Sequence, residues 1–185
     1  MSFLGDSGLR RLQHFRGAKH GYGPGWRTSE RLGTAGVIGR PILLFSAAVL
    51  VGLALDRLLP SPFAVPGIDP VHWITGGSLI LIGLALFASG VRNFSRAATP
   101  LPTNQPARVL VTMGIYHRTR DPIYLGFFLA YGGIGVATRS PWILILTLPL
   151  VVTIRNGVVA REEAYLERRF GDAYRDYKAR VRRWL

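Results

Sequence analysis

The residues that decide the fold are VHWITGGSLILIGLALFASGV, positions 71–91, a run of 21 residues without Asp, Glu, Lys or Arg. An uncharged run of about 20 apolar residues is long enough to cross the hydrocarbon core of a bilayer as a helix. His72 and Trp73 stand at one end and Arg92 follows the other, as is typical of membrane interfaces. The stretch therefore predicts a transmembrane helix near residues 71–93.

Three further apolar segments flank this helix. We place spans near residues 40–59, 71–93, 122–138 and 141–160. The first is short, because only Ile42 to Leu55 is free of charge, and we expect Arg40 and Arg57 to reach toward the two interfaces. The turn signal Arg139-Ser140-Pro141 separates the last two spans, which read as a helical hairpin. The predicted fold class is all-α, a polytopic integral membrane helical bundle with about four transmembrane helices.

The charges indicate how the bundle is oriented. The chain has 23 Lys and Arg against 10 Asp and Glu, and an even number of spans puts 21 of the 23 on one side. The positive-inside rule makes that side cytoplasmic, with both termini there. Residues 1–39 then form a basic arm, without a removable signal peptide, and residues 40–185 form the membrane domain. The charges flank every apolar run, so we expect membrane lipids as partners and no nucleic acid.

The polar segment GIYHRTRDPIYLG, residues 114–126, precedes the third span. Asp121 followed by Pro122 is a favourable N-cap and first-turn pair, so a helix can begin there. Its free N–H groups and positive dipole end suit an anion such as a carboxylate. On spacing alone, simpler roles are favoured: Asp121 as a cap, Arg120 as an interfacial anchor and Tyr124 as part of an aromatic belt.

A second group of charges follows the fourth span. Arg155 lies in the cytoplasmic half of that helix, where a charge is costly unless paired, so we expect it to face the bundle. Glu162 and Glu163 come two turns later, and adjacent carboxylates on a helix point in different directions. One glutamate can then face inward, to pair with Arg155, Arg120 or a cationic ligand, while the other meets solvent. A solvated helix face is the alternative.

A C-terminal amphipathic helix is predicted over residues 161–183. Its apolar positions recur every three or four residues: Leu166, Phe170, Ala173, Tyr177, Val181 and Trp184. We expect this helix on the membrane or over the mouth of the bundle, with a break at Gly171-Asp172.

Several other kinds of site lack their residues. There is no cysteine, and the histidines at positions 14, 20, 72 and 117 have no metal-ligand spacing, so no metal is expected. The glycines at positions 33, 36 and 39, and those at 132, 133 and 135, follow no strand pattern, so the dinucleotide fingerprint is not met. For these glycines we favour close helix packing in the bilayer.

The C-terminal half, from about residue 108, resembles the isoprenylcysteine carboxyl methyltransferase and phospholipid methyltransferase superfamily of integral membrane enzymes. The resemblance rests on Gly114-x-Tyr116, on Arg120-Asp121-Pro122-x-Tyr124-x-Gly126, and on Glu162-Glu163-x-x-Leu166-x-x-x-Phe170-Gly171-x-x-Tyr174-x-x-Tyr177. The family usually has His or Asn where this chain has Asp121. An ionised Asp accepts hydrogen bonds but cannot donate one, so this departure bears on any role that needs a donor.

The resemblance implies methyl transfer from S-adenosylmethionine, taken from the cytoplasm, to a lipophilic acceptor that arrives from the bilayer. The implied cofactor site is Gly114, Tyr116, Arg120, Asp121, Pro122, Tyr124, Leu125, Gly126, Glu162 and Glu163. Arg155 is the candidate for orienting a carboxylate acceptor, and a glutamate, Glu162 in the first place, is the candidate base for an amine acceptor. The alternatives are a sterol-reductase-like oxidoreductase that uses a reduced nicotinamide, and a non-catalytic membrane protein.

Overall fold

A computed structural model describes residue 37 and residues 40–59, 70–100 and 106–184. Its elements are α1 (Pro41–Leu58), α2 (Pro70–Arg96), a 3-10 helix (Gly114–His117), α3 (Pro122–Ala137), α4 (Pro141–Ile154), a π-helical turn (Arg155–Val159), α5 (Ala160–Phe170) and α6 (Asp172–Arg180). The described ranges contain no strand, so the predicted all-α class is confirmed. The predicted basic arm, residues 1–39, lies outside the described residues except for Val37.

The helices have the length and composition of a membrane bundle. Within the part of the chain that the structure describes, three helices are long and apolar enough to cross a bilayer: α1, α2 and the continuous helix Pro141–Phe170, with mean hydropathies of 1.8, 2.0 and 2.0. The fourth, α3, is shorter at 16 residues but equally apolar in character. Large side chains such as Leu50, Leu81 and Leu148 are exposed on the outside, where lipid would cover them.

Proline and glycine mark the helix boundaries. All four apolar helices begin with proline, whose fixed φ and missing N–H suit the first turn. Ser140 caps α4, because its side-chain oxygen accepts a hydrogen bond of 3.1 Å from the backbone N–H of Ile143. Gly171 separates α5 from α6 with φ +55°, so the predicted break is confirmed.

The C-terminal helix differs from the prediction in one respect. We expected one amphipathic helix over residues 161–183, distinct from the fourth span. Instead α4 passes through the π-helical turn into α5 without interruption, and the last helix ends at Arg180. Tyr177 donates a hydrogen bond of 2.7 Å to the Tyr116 carbonyl, so α6 folds back over the mouth of the bundle, which is the second of the two predicted positions.

Glycines bring α2 and α3 close together. Gly76, Gly83 and Gly90 recur every seven residues on α2, and Gly126 and Gly133 have the same interval on α3. A Cβ atom at Gly83 would lie 2.5 Å from the Gly126 carbonyl oxygen, so the backbones nearly touch. Small residues allow this approach between membrane helices. The predicted packing role is confirmed for Gly133 and Gly135, whereas a Cβ at residue 132 would meet nothing within 4 Å.

The two ends of the bundle have different chemistry. At one end, Arg139 lies 2.8 Å from the Nδ1 atom of His72, and the Trp142 indole donates to the carbonyl of Leu59 at 2.8 Å. At the other end, the first turns of α1 and α3 meet the last turns of α2 around a cavity. The helices therefore alternate in direction, and the start of α1 lies at the same end as α5 and α6.

Candidate functional site

A cavity of about 350 Å³ lies at this second end. Binding sites for small molecules commonly have volumes of roughly 300 to 1,000 Å³. The polar lining comprises Arg40, Tyr116, Arg120, Asp121, Tyr124, Glu162, Glu163, Tyr174 and Tyr177. The apolar lining includes Ile42, Phe87, Phe94, Val109, Ile123, Phe127 and Leu166. One space thus joins residues from α1, α2, α3, α5 and α6.

The strongest polar contacts in the cavity wall converge on Glu163. Its Oε1 accepts from Arg120 at 2.9 Å and from the Nε of Arg183 at 3.0 Å, and its Oε2 accepts from the Nη2 of Arg183 at 2.7 Å. The Glu163 side chain is only 9% exposed, and that of Arg120 only 10%. Two guanidinium groups therefore pair with one buried carboxyl side chain.

Glu162 is buried beside Glu163 but contacts a different element. The Tyr124 hydroxyl, on the first turn of α3, donates a hydrogen bond of 3.0 Å to its Oε1. This bond joins α3 to α5 across 38 positions of sequence. We expected one glutamate of the pair to meet solvent, and that was wrong: both are buried, at 8% and 7% exposure. The reason is that α3 covers one carboxylate, while the segment after α6 covers the other.

Residues 181–184, the last that the structure describes, are called the strap here, and they hold the segment before α3 in place. The backbone N–H groups of Arg120 and Asp121 donate to the carbonyls of Arg182 and Arg183 at 3.0 and 3.2 Å. The Thr119 hydroxyl donates to the same Arg183 carbonyl at 2.7 Å. Main-chain bonds thus supplement the ion pair, and the strap positions the start of α3 against α5.

Three tyrosines in the wall are neutral hydrogen-bonding groups. Burial, and then the nearby charge of Asp121, raises the pKa of Tyr116 above its usual range. Burial likewise raises the pKa of Tyr174 and of Tyr177. All three phenols therefore stay protonated at neutral pH, and all three residues line the cavity.

Asp121 occupies an unusual position at the start of α3. We expected its side chain to cap the helix, but it makes no capping hydrogen bond, and Asp121 lines the cavity instead. Its Oδ2 atom is buried and has no hydrogen-bond partner. Burial, reinforced by the negative charges of Glu162 and Glu163, raises the pKa of Asp121 to about 8. Near neutral pH this carboxyl is largely protonated and can donate a hydrogen bond, which an ionised Asp could not.

Six of the ten residues in the predicted cofactor site line this cavity. They are Tyr116, Arg120, Asp121, Tyr124, Glu162 and Glu163. The other four are absent from its lining. Gly114 has φ +64° and packs against Asn93, Pro122 begins α3, and Gly126 faces Gly83 on α2. Leu125 is half-buried on the same turn of α3.

Arg155 does not face the bundle, contrary to our expectation. It is exposed at the start of the π-helical turn and is absent from the cavity lining, whereas its neighbour Ile154 is fully buried. The charge avoids the interior because the long arginine side chain extends outward, toward an interface. Arg40, at the start of α1, lines the cavity instead.

Sequence reasoning overlooked other lining residues. Arg183 is a further residue that was missed: it lies outside the lining but contacts Glu163, and no local signal could reveal an ion pair that spans 20 positions. Phe87 and Phe94 lie in and near the end of an ordinary apolar run, so only the packing of α2 shows them at the cavity. Tyr174 and Tyr177 belonged to the recognised motif, and their spacing of three places both on one helix face.

The fold and the cavity define a helical integral membrane protein with a polar binding site at one end of its bundle. Residues 71–173 match the family described as phospholipid methyltransferase. This segment covers more than half of the chain and extends from α2 into α6. The chain belongs to this family of membrane methyltransferases, which confirms the predicted superfamily.

Two curated relatives match parts of the chain, and the first of them supports the assignment. The chain is 30% identical over 120 residues to protein-S-isoprenylcysteine O-methyltransferase B of Arabidopsis thaliana. The aligned segment covers 63% of this chain and 61% of that protein. It is 57% identical over 35 residues to an uncharacterized protein of Haemophilus influenzae, covering 19% of this chain and 56% of that protein. The chain thus spans under two thirds of the length of each relative. No solved structure matches it.

Proposed function

We propose that the protein transfers a methyl group from S-adenosylmethionine to a lipophilic acceptor resident in the membrane. The observation that carries the proposal is the convergence of Arg120, Asp121 and Tyr124 with Glu162 and Glu163 on one cavity. These residues come from segments about 40 positions apart in sequence. Family membership and the methyltransferase name of the Arabidopsis relative give the same reaction class.

The charged groups of the cavity suit the methyl donor. S-adenosylmethionine carries a sulfonium, an ammonium and a carboxylate. Glu162, together with the rings of Tyr116 and Tyr174, offers a carboxylate and aromatic faces to cationic groups. Arg120 lines the cavity, and its guanidinium offers a charged donor to a ligand carboxylate. The cavity therefore has a hydrogen-bond donor for the cofactor carboxylate, and it has a carboxylate and aromatic rings for the ammonium and sulfonium groups.

The apolar part of the cavity suits the acceptor. Phe87, Phe94 and Phe127 line it, and Ile42 and Val109 do so while remaining 56% and 52% exposed. These two exposed side chains form an apolar rim where the first turn of α1 adjoins the cavity. A lipid tail can lie along such a rim with its headgroup inside. Arg40 at the same rim replaces Arg155 as our candidate for orienting an anionic headgroup.

Methyl transfer needs positioning more than it needs a protein nucleophile. The reaction is an in-line displacement, and holding the two reactants in a dry, aligned geometry can lower the barrier by several kcal/mol, roughly 7 in favourable cases. The ion pairs of Glu163 fix α3, α5 and the strap relative to each other, and the tyrosines over the mouth exclude water. The chain's own residues thus bind, orient and desolvate the reactants.

The cavity end is proposed to face the cytoplasm. The start of α1, the segment before α3 and the residues after α4 lie at this end, and they carry most of the described basic residues. Positive charges favour the cytoplasmic side of a membrane. S-adenosylmethionine would then reach the polar lining from the cytoplasm.

The proposal is tested by following a labelled methyl group. The purified protein in detergent is incubated with methyl-labelled S-adenosylmethionine and a total membrane lipid extract, and label in the organic phase is counted. Wild-type protein and Arg175→Ala should label lipid equally, because Arg175 is exposed and pairs only with Asp172. Glu162→Gln should label lipid at least tenfold more slowly. Equal labelling by all three proteins, or label confined to water-soluble products, contradicts the proposal.

A further inference from the structure

Arg120 and Arg183 share one carboxyl group, but only Arg120 lines the cavity. Arg183 makes two of the three hydrogen bonds that Glu163 accepts from these arginines, one to each carboxyl oxygen, at 3.0 and 2.7 Å. Arg120 makes the third, from its Nη1 atom to Oε1 at 2.9 Å. Arg183 therefore binds Glu163 in the two-point geometry that is strongest between these groups, whereas Arg120 binds it at one point.

The main chain of the strap positions Arg183 independently of this ion pair. The Arg183 carbonyl accepts a hydrogen bond of 2.7 Å from the Thr119 hydroxyl and one of 3.2 Å from the backbone N–H of Asp121. The carbonyl of Arg182 accepts from the backbone N–H of Arg120 at 3.0 Å. A substitution that changes only the side chain at position 183 should therefore leave the strap attached to the segment before α3.

The two-point contact occupies the carboxyl oxygen that Arg120 does not use. Because Oε2 of Glu163 is bonded to Arg183, Arg120 does not form a two-point pair with the same carboxyl group. Lys178 also approaches Oε2, at 3.9 Å, but it lies closer to Glu167, at 3.5 Å. The contact with Glu163 uses one of the five N–H groups of the Arg120 guanidinium. Arg120 can therefore offer a donor to a ligand in the cavity that it lines.

We propose that Arg183 is a positioning residue for the methyl donor, because its two-point contact with Glu163 keeps Arg120 available to the carboxylate of S-adenosylmethionine. This inference rests on the proposed function. Without the Arg183 side chain, both oxygens of Glu163 become open to Arg120, and a guanidinium favours the two-point pair. Arg120 would then pair fully with Glu163 and would bind the ligand carboxylate less well.

The experiment compares two ligands that differ in one carboxylate. S-adenosylmethionine has it, whereas decarboxylated S-adenosylmethionine keeps the sulfonium, the ammonium and the adenosine. The purified chain in detergent is titrated calorimetrically with each ligand. The variants are Arg183→Gln, which removes the charge, and Arg183→Lys, which keeps it. Arg182→Gln is the matched control, because Arg182 is the adjacent arginine of the strap and is exposed.

The expected result is a loss of affinity that depends on the ligand. Arg183→Gln should bind S-adenosylmethionine about tenfold more weakly, the order expected for one lost charge-assisted contact, and its affinity for the decarboxylated ligand should change by less than about threefold. Arg183→Lys should be intermediate, because an ammonium lacks the two-point geometry of a guanidinium. Arg182→Gln should match the wild type. Equal weakening of both ligands, or unchanged binding by Arg183→Gln, would overturn the proposal.

A double substitution tests how Arg183 acts. If its loss lets Glu163 capture Arg120, then Glu163→Gln in the Arg183→Gln chain should restore most of the affinity for S-adenosylmethionine. A role in packing alone predicts that the double variant binds more weakly than either single variant, and that result would also overturn the proposal. Thermal unfolding in the same detergent shows which variants are folded. If Arg183→Gln is not, the comparison of the two ligands with Arg183→Lys decides.

Binding by the wild type separates this proposal from the proposed function. Equal or higher affinity for the decarboxylated ligand would show that the cavity does not recognise the carboxylate. That result overturns the role of Arg183 and leaves the proposed methyl transfer in place. Absence of binding of both ligands removes both proposals.

Discussion

Two regions of the molecule achieve close contact between helices in opposite ways. Between α2 and α3 the backbones approach because side chains are missing, as at Gly83 and Gly126. At the cavity, α3, α5 and the strap are joined by charged side chains, with Glu163 between Arg120 and Arg183. The first arrangement depends on shape alone and the second on paired charges. We therefore expect the membrane part to be sensitive to added side-chain volume, and the cavity to be sensitive to the loss of a charge.

The two regions also touch. A Cβ atom at Gly90, the last glycine of the α2 series, would lie 3.4 Å from the Tyr116 hydroxyl in the cavity wall. The adjacent turn brings Asn93 to the Met113 carbonyl, to which its side-chain amide donates at 3.3 Å. The glycine interface therefore sets how close α2 lies to the site.

The largest effect is expected from Glu163→Ala. Removing this carboxylate leaves the guanidinium groups of Arg120 and Arg183 without their shared partner, and breaking a buried ion pair costs about 3–5 kcal/mol. The thermal unfolding midpoint in detergent should fall sharply. Asp172→Ala is the matched control, because its ion pair with Arg175 is exposed and screened by water. Similar unfolding midpoints for the two variants would show that the buried ion pairs of Glu163 with Arg120 and Arg183 do not add to the stability of the protein.

A smaller loss is expected from added volume in the glycine interface. A methyl group at Gly83 would meet the Gly126 carbonyl, and overpacking of this kind costs about 1–3 kcal/mol. Gly77→Ala is the control on the same helix, because nothing lies within 4 Å of its added Cβ. That control should keep or slightly raise stability, since alanine is the better helix former. Chemical unfolding in detergent measures both, and equal destabilisation would disprove the glycine contact.

Tyr177→Phe should have a moderate effect. The Tyr177 hydroxyl donates to the Tyr116 carbonyl at 2.7 Å in a buried contact, and the loss of one such bond costs about 1 kcal/mol. Ser95→Ala removes a hydrogen bond to the Val91 carbonyl at an exposed position and should cost less. Hydrogen exchange in α6 should quicken in the first variant only. Unchanged exchange there would show that this bond does not hold the helix over the cavity.

The smallest effect is expected from Arg175→Ala on α6. The side chain is 57% exposed and pairs with Asp172 three residues away, a contact that water screens. Both the unfolding midpoint and the affinity for S-adenosylmethionine should match the wild type within error. A clear loss of affinity would mean that the exposed face of α6, rather than its buried tyrosines, binds the ligand.

Much of the fold could be predicted because it follows from local patterns. Uncharged runs locate α1, α2, α3 and α4, prolines locate where they begin, and Gly171 locates the break before α6. Apolar residues at every third or fourth position also predicted that one face of α6 would pack on the membrane or over the mouth of the bundle. These signals are visible in a short window of sequence.

The site could be predicted only in part, because its contacts join distant segments. The motif residues Arg120 and Glu163 were found, but Arg183, which completes their cluster, was not. The π-helical turn explains a further error. The turn interrupts the regular period of 3.6 residues, so residues 155–159 do not continue the faces of α4. A regular helical pattern therefore could not predict that Arg155 is exposed and that both glutamates are buried.

The most direct test of the account is a calorimetric titration of the purified protein with S-adenosylmethionine, its demethylated product and a reduced nicotinamide. We expect the two sulfur compounds to bind one site per chain, with affinity lost in Arg120→Ala and kept in Arg175→Ala. The nicotinamide should not bind. Binding of the nicotinamide without the sulfur compounds, or equal affinity in both variants, would contradict the claim that this cavity is the methyl-donor site.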